Sequence, residues 1–258
     1  YREDRYLRHR LRIGRLLREE IGRATHRLIS PHATFCWSTL AAELCIKLGK
    51  RYNMEGDWHL QQVARYNWSL MPFGPNKLRK YLWQLYHTPK YMRCLRHSSL
   101  ALVKAGDVYE AYKSIAPNAF PVMNVQVTPE DQINAAELEE KLRRAERGEP
   151  LRFVYSGRAI DMKGPMQWMR VLRALRQRGI PFTATWFGEG DRLDKMRAFR
   201  DRNGLADCCE LPGKVTRDRL FEATKQADVF LFCHMTSESP RCVQEALACG
   251  APTVGFDS

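Results

Sequence analysis

Short apolar runs alternate with amphipathic segments throughout the second half of the chain. Five of these runs are bounded by Gly, Pro or polar residues and predict β-strands at residues 151–155, 182–187, 208–211, 227–233 and 252–256. The segments between them have a helical period and predict four helices, at residues 166–178, 191–203, 216–226 and from 240 onward. Strands and helices that alternate in this way form a parallel sheet with right-handed crossovers, so the second half is predicted to be α/β.

The first half has a less regular pattern. It predicts helices at residues 1–24 and 39–48, strands at 51–54, 99–104 and 122–127, and a helix that opens at 108–112. Residues 58–96 are rich in Trp, Tyr, Pro and Arg, and their pattern assigns no element. A charged, exposed helix at 134–147 ends at Gly148 and Pro150. We therefore predict two domains, 1–133 and 151–258, joined by a linker helix at 134–150.

Positive charge is concentrated in the first half. Residues 1–129 hold 21 Lys and Arg against 9 Asp and Glu, whereas residues 151–258 hold 17 against 13. A basic face attracts phosphate groups, whether in nucleic acid, lipid headgroups or a phosphorylated substrate. In the helix predicted at 1–24, Leu7, Leu11, Leu17 and Ile21 fall near one stripe and arginines cover the rest. Two interpretations stay open: docking on an anionic membrane surface, or packing of the leucines on the sheet with the arginines in solvent.

Two further features of the composition bear on location and metal binding. The chain has no apolar run near the ~20 residues that a membrane span needs, and it has no signal-peptide pattern. Its eight cysteines form no C-x-x-C pair, which favours buried, reduced thiols over a zinc site. We expect a cytoplasmic protein, either free or peripheral on the inner membrane face, without a metal or other cofactor.

Candidate chemistry begins in the loop after the first strand of the second half. Arg158 and Lys163 lie in this loop and are flanked by Gly157 and Gly164. Glycine allows a backbone to approach a phosphate closely, and two cations on such a loop can clamp a diphosphate. Open α/β sheets bind ligands beyond the carboxyl ends of their strands, which is where this loop is expected. The alternative is a solvated basic loop.

A second candidate site is the helix that begins near residue 240. Ser239 suits the N-cap and Pro240 the first helical position, so the free amides there form a ready anion site. Glu245 follows about two turns later, where a carboxylate can accept hydrogen bonds from the vicinal hydroxyls of a ribose. Glu238 precedes the helix and can accept from sugar hydroxyls. The alternative is that both are ordinary surface glutamates.

Two other patterns carry less information. Gly188-Glu189-Gly190 begins like a dinucleotide fingerprint, but the residue three positions after Gly190 is Leu193, so a strand-to-helix turn is favoured. No D-x-D triplet occurs in the chain. Sugar transferases that bind the donor through a divalent ion need such paired acids, so the chemistry is predicted to be metal-independent.

Together these motifs resemble the donor domain of the family 4, retaining, GT-B-fold glycosyltransferases. The resemblance covers residues 151–258 through S-G-R-x4-K-G at 156–164, W-F-G-E-G at 186–190, L-P-G-K-V at 211–215, A-D-V-F-L at 227–231 and E-S-P-R-C-V-Q-E-A-L-A-C-G-A-P at 238–252. It implies an α/β protein of GT-B type with two facing Rossmann-like domains, both truncated at the chain ends. It also implies sugar transfer from a nucleotide-sugar to a sugar or lipid-linked acceptor with retention of configuration.

The resemblance assigns roles to individual residues. Arg158 and Lys163 bind the donor diphosphate, Glu238 and the amides after it hold the sugar, Glu245 binds the ribose, and the backbone near Lys214 and Val215 meets the base. The predicted set is Arg158, Lys163 and Glu238 for catalysis, Gly157, Gly188, Lys214, Val215, Ser239, Pro240, Arg241 and Glu245 for donor binding, and Glu55 and Asp57 on the acceptor side. The family usually has seven residues between its two glutamates, and this chain has six between Glu238 and Glu245.

Other functional classes make different predictions. A basic nucleic-acid-binding protein would account for the charge of the first half, but the chain has no recognisable nucleic-acid-binding motif and we expect no nucleic-acid partner. An epimerase or phosphorylase of the same fold is a further alternative, as is a non-catalytic nucleotide-binding scaffold. Binding of a nucleoside diphosphate would distinguish the nucleotide-dependent classes from a nucleic-acid-binding protein.

Overall fold

The computed structural model describes residues 6–30, 36–56, 59–123, 126–236 and 240–256, which form two compact units. The first unit contains the described residues up to 123. The second contains residues 126–236 and 240–256. Each unit has its own parallel sheet and its own hydrophobic core.

The sheet of the first unit has four parallel strands in the order β1-β2-β3-β4. Its strands are β1 (Leu28–Ile29), β2 (Asn53–Gly56), β3 (Leu100–Lys104) and β4 (Ala119–Val122). Its helices are α1 (Tyr6–Arg23), α2 (Cys36–Lys47), α3 (Leu60–Ser69), α4 (Pro75–His97) and α5 (Asp107–Tyr112). Met54, Ala101 and Val103 of the two central strands are fully buried, and they form the middle of this core.

Several predicted elements of the first unit are shifted. The strand predicted at 51–54 lies at Asn53–Gly56, and the strand predicted at 122–127 lies at Ala119–Val122. Residues 58–96, which the pattern left unassigned, contain α3 and most of α4. Helix α4 buries His87, Tyr91, Cys94 and Leu95, which are spaced as one helical stripe, only in its second half.

The stripe predicted on the first helix is only partly a packing face. Tyr6 and Ile21 of α1 are buried, and Leu17 packs against the same core. Leu11, by contrast, is 82% exposed, and the side chain of Leu7 lies outside the described residues. Among the helices of the described ranges, none combines the length and apolar character that crossing a bilayer requires.

The sheet of the second unit has five parallel strands in the order β7-β6-β5-β8-β9. Its strands are β5 (Leu151–Ser156), β6 (Phe182–Phe187), β7 (Cys209–Gly213), β8 (Val229–Phe232) and β9 (Thr253–Gly255). Its helices are α6 (Ala135–Glu146), α7 (Pro165–Gln177), α8 (Leu193–Arg202), α9 (Arg217–Gln226) and α10 (Arg241–Ala248). The five strands and four following helices predicted from the pattern are confirmed.

Helix α6, predicted as a linker, packs as part of the second unit. Asn134 caps it by accepting a 2.9 Å hydrogen bond from the Glu137 amide. The Lys141 amine donates to the Gly250 carbonyl at 2.7 Å, and Arg144 pairs with Asp228 at 3.1 Å. Both cations are nearly buried, with residue exposures of 8%. Because a buried charge is stable only when it is paired or hydrogen-bonded, these contacts attach the helix to the sheet.

The described cysteines are free and mostly buried, as predicted. Seven cysteines of the described ranges form no disulfide, and among them only Cys242 is not buried. Burial raises the pKa of Cys94, Cys209 and Cys233 to about 12. A thiol with such a pKa is protonated near neutrality and is a weak nucleophile, so these residues act as small apolar core groups.

Candidate functional site

The carboxyl ends of all five strands of the second sheet lie at one edge, because the strands are parallel. The loops that follow these strands carry the residues predicted to bind the donor, including Arg158, Lys214 and Pro240. Parallel α/β sheets bind ligands at this edge because loops and helix N-termini converge there.

Main-chain hydrogen bonds join these loops to one another. The Gly157 amide donates to the Phe187 carbonyl at 2.9 Å, and the Gly188 amide donates to the Gly213 carbonyl at 2.8 Å. On the other side, the Met235 amide donates to the Met162 carbonyl at 3.0 Å. The loops after β5, β6, β7 and β8 are therefore held together by backbone contacts.

Two glycines at this edge are required by close packing between loops. A Cβ atom on Gly164 would lie 1.7 Å from the Cys233 carbonyl oxygen, and one on Gly188 would lie 2.1 Å from the Gly157 oxygen. Both residues also have positive φ angles, 66° and 134°. Contact with protein backbone is thus sufficient to explain these two glycines, without an approaching phosphate.

The loop that carries Arg158 and Lys163 is fixed by an ion pair that the sequence patterns did not reveal. Arg158 is exposed, and Lys163 lies half-exposed in a 3-10 turn at Asp161–Lys163. Asp161 accepts two hydrogen bonds from Arg192 at the start of α8, one of them 2.5 Å long from Nε. Hydrogen bonds from Arg192 lower the pKa of Asp161. The pair spans 31 residues of sequence, so local patterns could not indicate it.

The loop after β7 places Lys214 and Val215 at the same edge. Lys214 is exposed, whereas Val215 is half-buried against the core of the second unit. Thr216 follows as the N-cap of α9, and its side chain accepts a hydrogen bond from the Arg219 amide. The packing of Val215 and the N-cap at Thr216 fix the turn, and the side chain of Lys214 stays in solvent.

Helix α10 begins one residue later than predicted. Pro240 is its N-cap residue and not its first helical residue. The helix begins at Arg241, whose side chain is exposed. The Val243 amide donates to the Pro240 carbonyl at 3.2 Å and so closes the first turn. Glu238 and Ser239 lie outside the described residues, so their predicted roles stay predictions.

Glu245 lies on the second turn of α10 and is half-buried. It lines a narrow crevice together with Ser156 at the end of β5, Phe221 of α9 and Phe230 of β8. Burial raises the pKa of Glu245, and the nearby charges of Arg241 and Arg217 oppose that shift. The structure therefore brings Glu245 to the carboxyl end of β5, next to the loop that carries Arg158.

A second ion pair behind Glu245 was also missed from sequence. Asp131 is buried and accepts hydrogen bonds from Arg217, at 2.7 and 2.5 Å, and from the Thr128 amide at 2.7 Å. These hydrogen bonds, the one from Arg217 foremost, hold the pKa of Asp131 well below its usual range. The Arg217 guanidinium also lies 4.0 Å above the ring of Phe221. The motif T-P-E-D at 128–131 is a capping-box pattern. It was the sequence signal that could have indicated a structural role for Asp131.

A buried polar contact lies beneath the same edge. The Tyr155 hydroxyl and His234 Nε2 are 2.5 Å apart, and both side chains are almost completely buried. Phe232 stacks on the His234 ring with centroids 3.9 Å apart. His234 lies two residues after the end of β8, so this contact joins the ends of β5 and β8 below the loops.

The residues predicted for the acceptor side lie in the first unit. Glu55 is a half-exposed residue within β2, not in the loop after it. Asp57 lies outside the described residues. The next residue after Glu55, Gly56, allows the Tyr91 hydroxyl to approach, because a Cβ there would lie 3.3 Å from that oxygen.

The described residues also contain a groove lined by charged side chains. It has a volume of about 870 Å³ and lies between α6 and α9, and several of its charged lining residues are already paired: Lys225 with Glu137, and Arg144 with Asp228, which directly precedes β8. We therefore place the candidate site at the strand ends and not in this groove. Within the described ranges, no cluster of three or more His, Cys, Asp or Glu residues could hold a metal ion.

The second unit matches a known family of enzymes. Residues 137–258 match the family described as Glycosyl transferases group 1. The amylovoran biosynthesis glycosyltransferase AmsK of Erwinia amylovora is 30% identical over 115 residues, which are 42% of this chain. The chain spans 28% of the length of that relative.

Solved structures share the fold of the described chain. Anabaena Alr3699/HepE in complex with UDP-glucose has a TM-score of 0.64 and 13% identity, and the match covers 94% of this chain and 62% of that one. Sucrose-phosphate synthase of Thermosynechococcus elongatus has a TM-score of 0.66 and 13% identity, with 98% and 61% covered. The predicted α/β fold of GT-B type is confirmed.

Proposed function

We propose that this chain is part of a glycosyltransferase that moves a sugar from a nucleotide-sugar donor to an acceptor. The observation that supports it most directly is the joint position of the Arg158 loop and Glu245 at the carboxyl end of β5. The match of residues 137–258 to Glycosyl transferases group 1 supports the same activity. A UDP-glucose complex of a protein with the same fold makes a uridine nucleotide the first donor to test.

In this proposal the donor lies along the strand ends of the second sheet. Arg158 and Lys163 bind the diphosphate, Glu245 accepts hydrogen bonds from the ribose, and the backbone at Lys214 and Val215 contacts the base. Glu238 and the amides that follow it hold the donor sugar. The raised pKa of Glu245 is consistent with a carboxylate whose half-buried site lacks water to solvate it fully.

The proposed chemistry is stabilisation of the leaving group. As the bond between the anomeric carbon and the diphosphate oxygen breaks, the anomeric carbon bonds to an acceptor hydroxyl oxygen, and negative charge grows on the diphosphate, which takes up the hydroxyl proton. Preorganised cations at Arg158 and Lys163, together with the N-terminus of α10, stabilise that charge without reorganisation of solvent. The Asp161–Arg192 pair and the backbone contacts of Gly157 and Gly164 hold the cation loop in place. We propose retention of configuration at the anomeric carbon, as in the retaining family that the motifs resemble.

Transfer is proposed to be independent of metal ions. The chain has no D-x-D triplet, and the two loop cations supply the positive charge that a divalent ion supplies in other transferases. Turnover should therefore persist in excess chelator. Loss of turnover with EDTA and its recovery with Mg²⁺ or Mn²⁺ would refute metal independence and leave nucleotide binding to be judged separately.

The acceptor is proposed to be a sugar, free or lipid-linked, that Glu55 and Asp57 help to bind. Glu55 is half-exposed at the carboxyl half of β2, and a carboxylate there can accept hydrogen bonds from sugar hydroxyls. We further propose that the protein acts on the cytoplasmic side of the cell.

Calorimetry with UDP tests the donor site. We expect Arg158→Ala and Lys163→Ala each to weaken UDP binding by about 1.5–3 kcal/mol, the range for charge-assisted hydrogen bonds. Arg170→Ala, which removes an exposed arginine of α7 in the same unit, is the matched control and should leave the affinity unchanged. Unchanged affinity in both loop variants would remove this site. Tight binding of UDP without turnover of any nucleotide-sugar would favour a non-catalytic nucleotide-binding protein.

A further inference from the structure

The first half of helix α4 and the turn before it expose an unusual set of apolar side chains. Leu78, Leu82 and Leu85 are 58%, 56% and 53% exposed, and their i, i+4, i+7 spacing places them on one stripe. Phe73, in the turn between α3 and α4, is fully exposed. We call the set the α3–α4 surface, and it comprises Leu70, Phe73, Leu78, Tyr81, Leu82, Leu85 and Tyr86.

This stripe is separate from the face that α4 packs into the first unit. The buried residues of α4 begin at His87 and end at Leu95, in the second half of the helix. Trp83 alone in the first half packs against the core, where it meets the ring of Tyr6 at 6.0 Å. Single exposed leucines are ordinary, but a continuous apolar stripe on a helix indicates a surface that contacts something else.

The segment of sequence that forms the α3–α4 surface carries charge of one sign, and the acid Glu43 of α2 pairs with its Lys90 at 3.8 Å. No Asp or Glu occurs between Asp57 and Asp107. The same stretch holds eight cations, which are Arg65, Lys77, Arg79, Lys80, Lys90, Arg93, Arg96 and Lys104. Arg79 directly follows Leu78, so positive charge borders the apolar stripe itself.

Helix α1 extends this basic character. Lys90 lies 3.8 Å above the ring of Tyr86, and Arg10 of α1 is near enough to act on the same hydroxyl. The two cations, with the Lys90 hydrogen bond as the larger cause, lower the pKa of Tyr86. Leu11, the residue after Arg10, is 82% exposed. The arginine-rich helix and the apolar stripe therefore adjoin at Tyr86.

We propose that the α3–α4 surface docks on an anionic lipid bilayer, with the leucine stripe and Phe73 in the headgroup–acyl boundary and the bordering cations against lipid phosphates. Apolar side chains on one face of a helix with Lys and Arg beside them are the pattern of interfacial membrane helices. The aliphatic stripe favours lipid over nucleic acid, since bases stack on aromatic faces. The excess of positive charge in this segment disfavours a second copy of the same surface, because like charges repel.

The docking surface stands independently of the proposed sugar transfer. It lies in the first unit, whereas Arg158, Lys163 and Glu245, which are proposed to bind the donor, lie in the second unit. Failure of either proposal therefore leaves the other untouched, and UDP affinity and vesicle binding can be measured on the same variants.

Co-sedimentation of the chain with vesicles tests the proposal. The probes are phosphatidylcholine vesicles and equimolar phosphatidylcholine–phosphatidylglycerol vesicles, each at low and at physiological salt. We expect binding to the anionic vesicles, a marked decrease at physiological salt because headgroup attraction is screened, and little binding to phosphatidylcholine alone. Equal recovery with both vesicle types at all salt concentrations would overturn the proposal.

Substitutions separate the apolar and the charged contributions. Leu82→Gln with Leu85→Gln should lower the partition coefficient on anionic vesicles at least tenfold, because two apolar side chains no longer leave water. Arg79→Gln with Lys80→Gln should lower it by up to roughly fivefold for each charge removed. The matched control is Leu138→Gln with Leu142→Gln, which changes two exposed leucines on α6 in the second unit and should have no effect. Because all these side chains are exposed, each variant should keep the circular dichroism spectrum of the wild-type chain.

Three outcomes would contradict bilayer docking. If the α6 control loses as much binding as the Leu82/Leu85 variant, binding is nonspecific. If the Leu82/Leu85 variant converts a dimer to a monomer in analytical ultracentrifugation while vesicle binding is absent, the stripe joins two copies of the chain. The third outcome is tight binding of single-stranded oligonucleotides without binding of vesicles. If the Arg79/Lys80 variant then loses oligonucleotide binding, the surface binds nucleic acid.

Discussion

Replacing Gly164 by Ala should destabilise the second unit far more than the same change at Gly179. The two glycines have φ angles of 66° and 67°, so an added Cβ carries the same backbone strain at both positions. They differ in what the new atom meets. At Gly164 it would lie 1.7 Å from the Cys233 carbonyl oxygen, whereas at Gly179 no heavy atom of the described chain lies within 4 Å.

The expected losses of stability follow from the backbone strain and from the contact that the new Cβ atom makes. A left-handed backbone costs an L-residue about 1–2 kcal/mol, and about 0.4–1 kcal/mol returns because alanine restricts the unfolded chain. We therefore expect Gly179→Ala to lower the free energy of unfolding by roughly 0.5–1.5 kcal/mol. Gly164→Ala must also push the loop away from the backbone of Cys233, and overpacking of this kind adds about 1–3 kcal/mol.

Urea unfolding of both variants, followed by circular dichroism, measures the difference. Comparison of the two variants with each other removes effects that are common to the second unit. Gly164→Ala should also weaken UDP binding if the loop that carries Lys163 is part of the donor site. A difference of less than about 0.5 kcal/mol between the variants, within the usual range of neutral surface changes, would refute the close approach of this loop to the end of β8.

Two further predictions concern charges at the same edge. Because burial raises the pKa of Glu245 above its ordinary 4.5, Glu245→Gln should stabilise the chain at neutral pH. That advantage should shrink as the pH falls through the raised pKa of the folded state, and it should be absent below 4.5, where the carboxyl group is protonated in both states; a pH-independent difference would contradict the burial. In urea unfolding, a double-mutant cycle of Asp161→Asn and Arg192→Gln should give a coupling of about 0.5–1 kcal/mol, since both side chains are partly exposed; no coupling would mean that the pair does not hold the loop.

The second sheet was predictable because its central strands, β5 and β8, have consecutive buried residues. Such strands appear as continuous apolar runs, and the glycines and polar residues between them mark the loops. The same logic failed for residues 58–96, where Leu78, Leu82 and Leu85 of α4 lie partly in solvent, at 53–58% exposure. Periodicity predicts which residues share a helical face, but it cannot show whether that face is covered.

The candidate site was predictable in its loops but not in the groups that support them. Arg158, Lys163 and Glu245 follow from their positions after strands and at a helix start. Asp131 and Arg217 are 86 residues apart, and Asp161 and Arg192 are 31 apart. Ion pairs between distant segments depend on the tertiary fold, so no local spacing could reveal them.

The attachment of α6 to the second sheet has a consequence for modular exchange between enzymes. A donor module excised at residue 151, where its first strand starts, would leave Asp228 and the Gly250 carbonyl without the cations that they bind. It would also leave Arg217 without Asp131. A chimera that grafts a different donor specificity onto another acceptor module should therefore take its junction before residue 126, so that the helix travels with the sheet it stabilises.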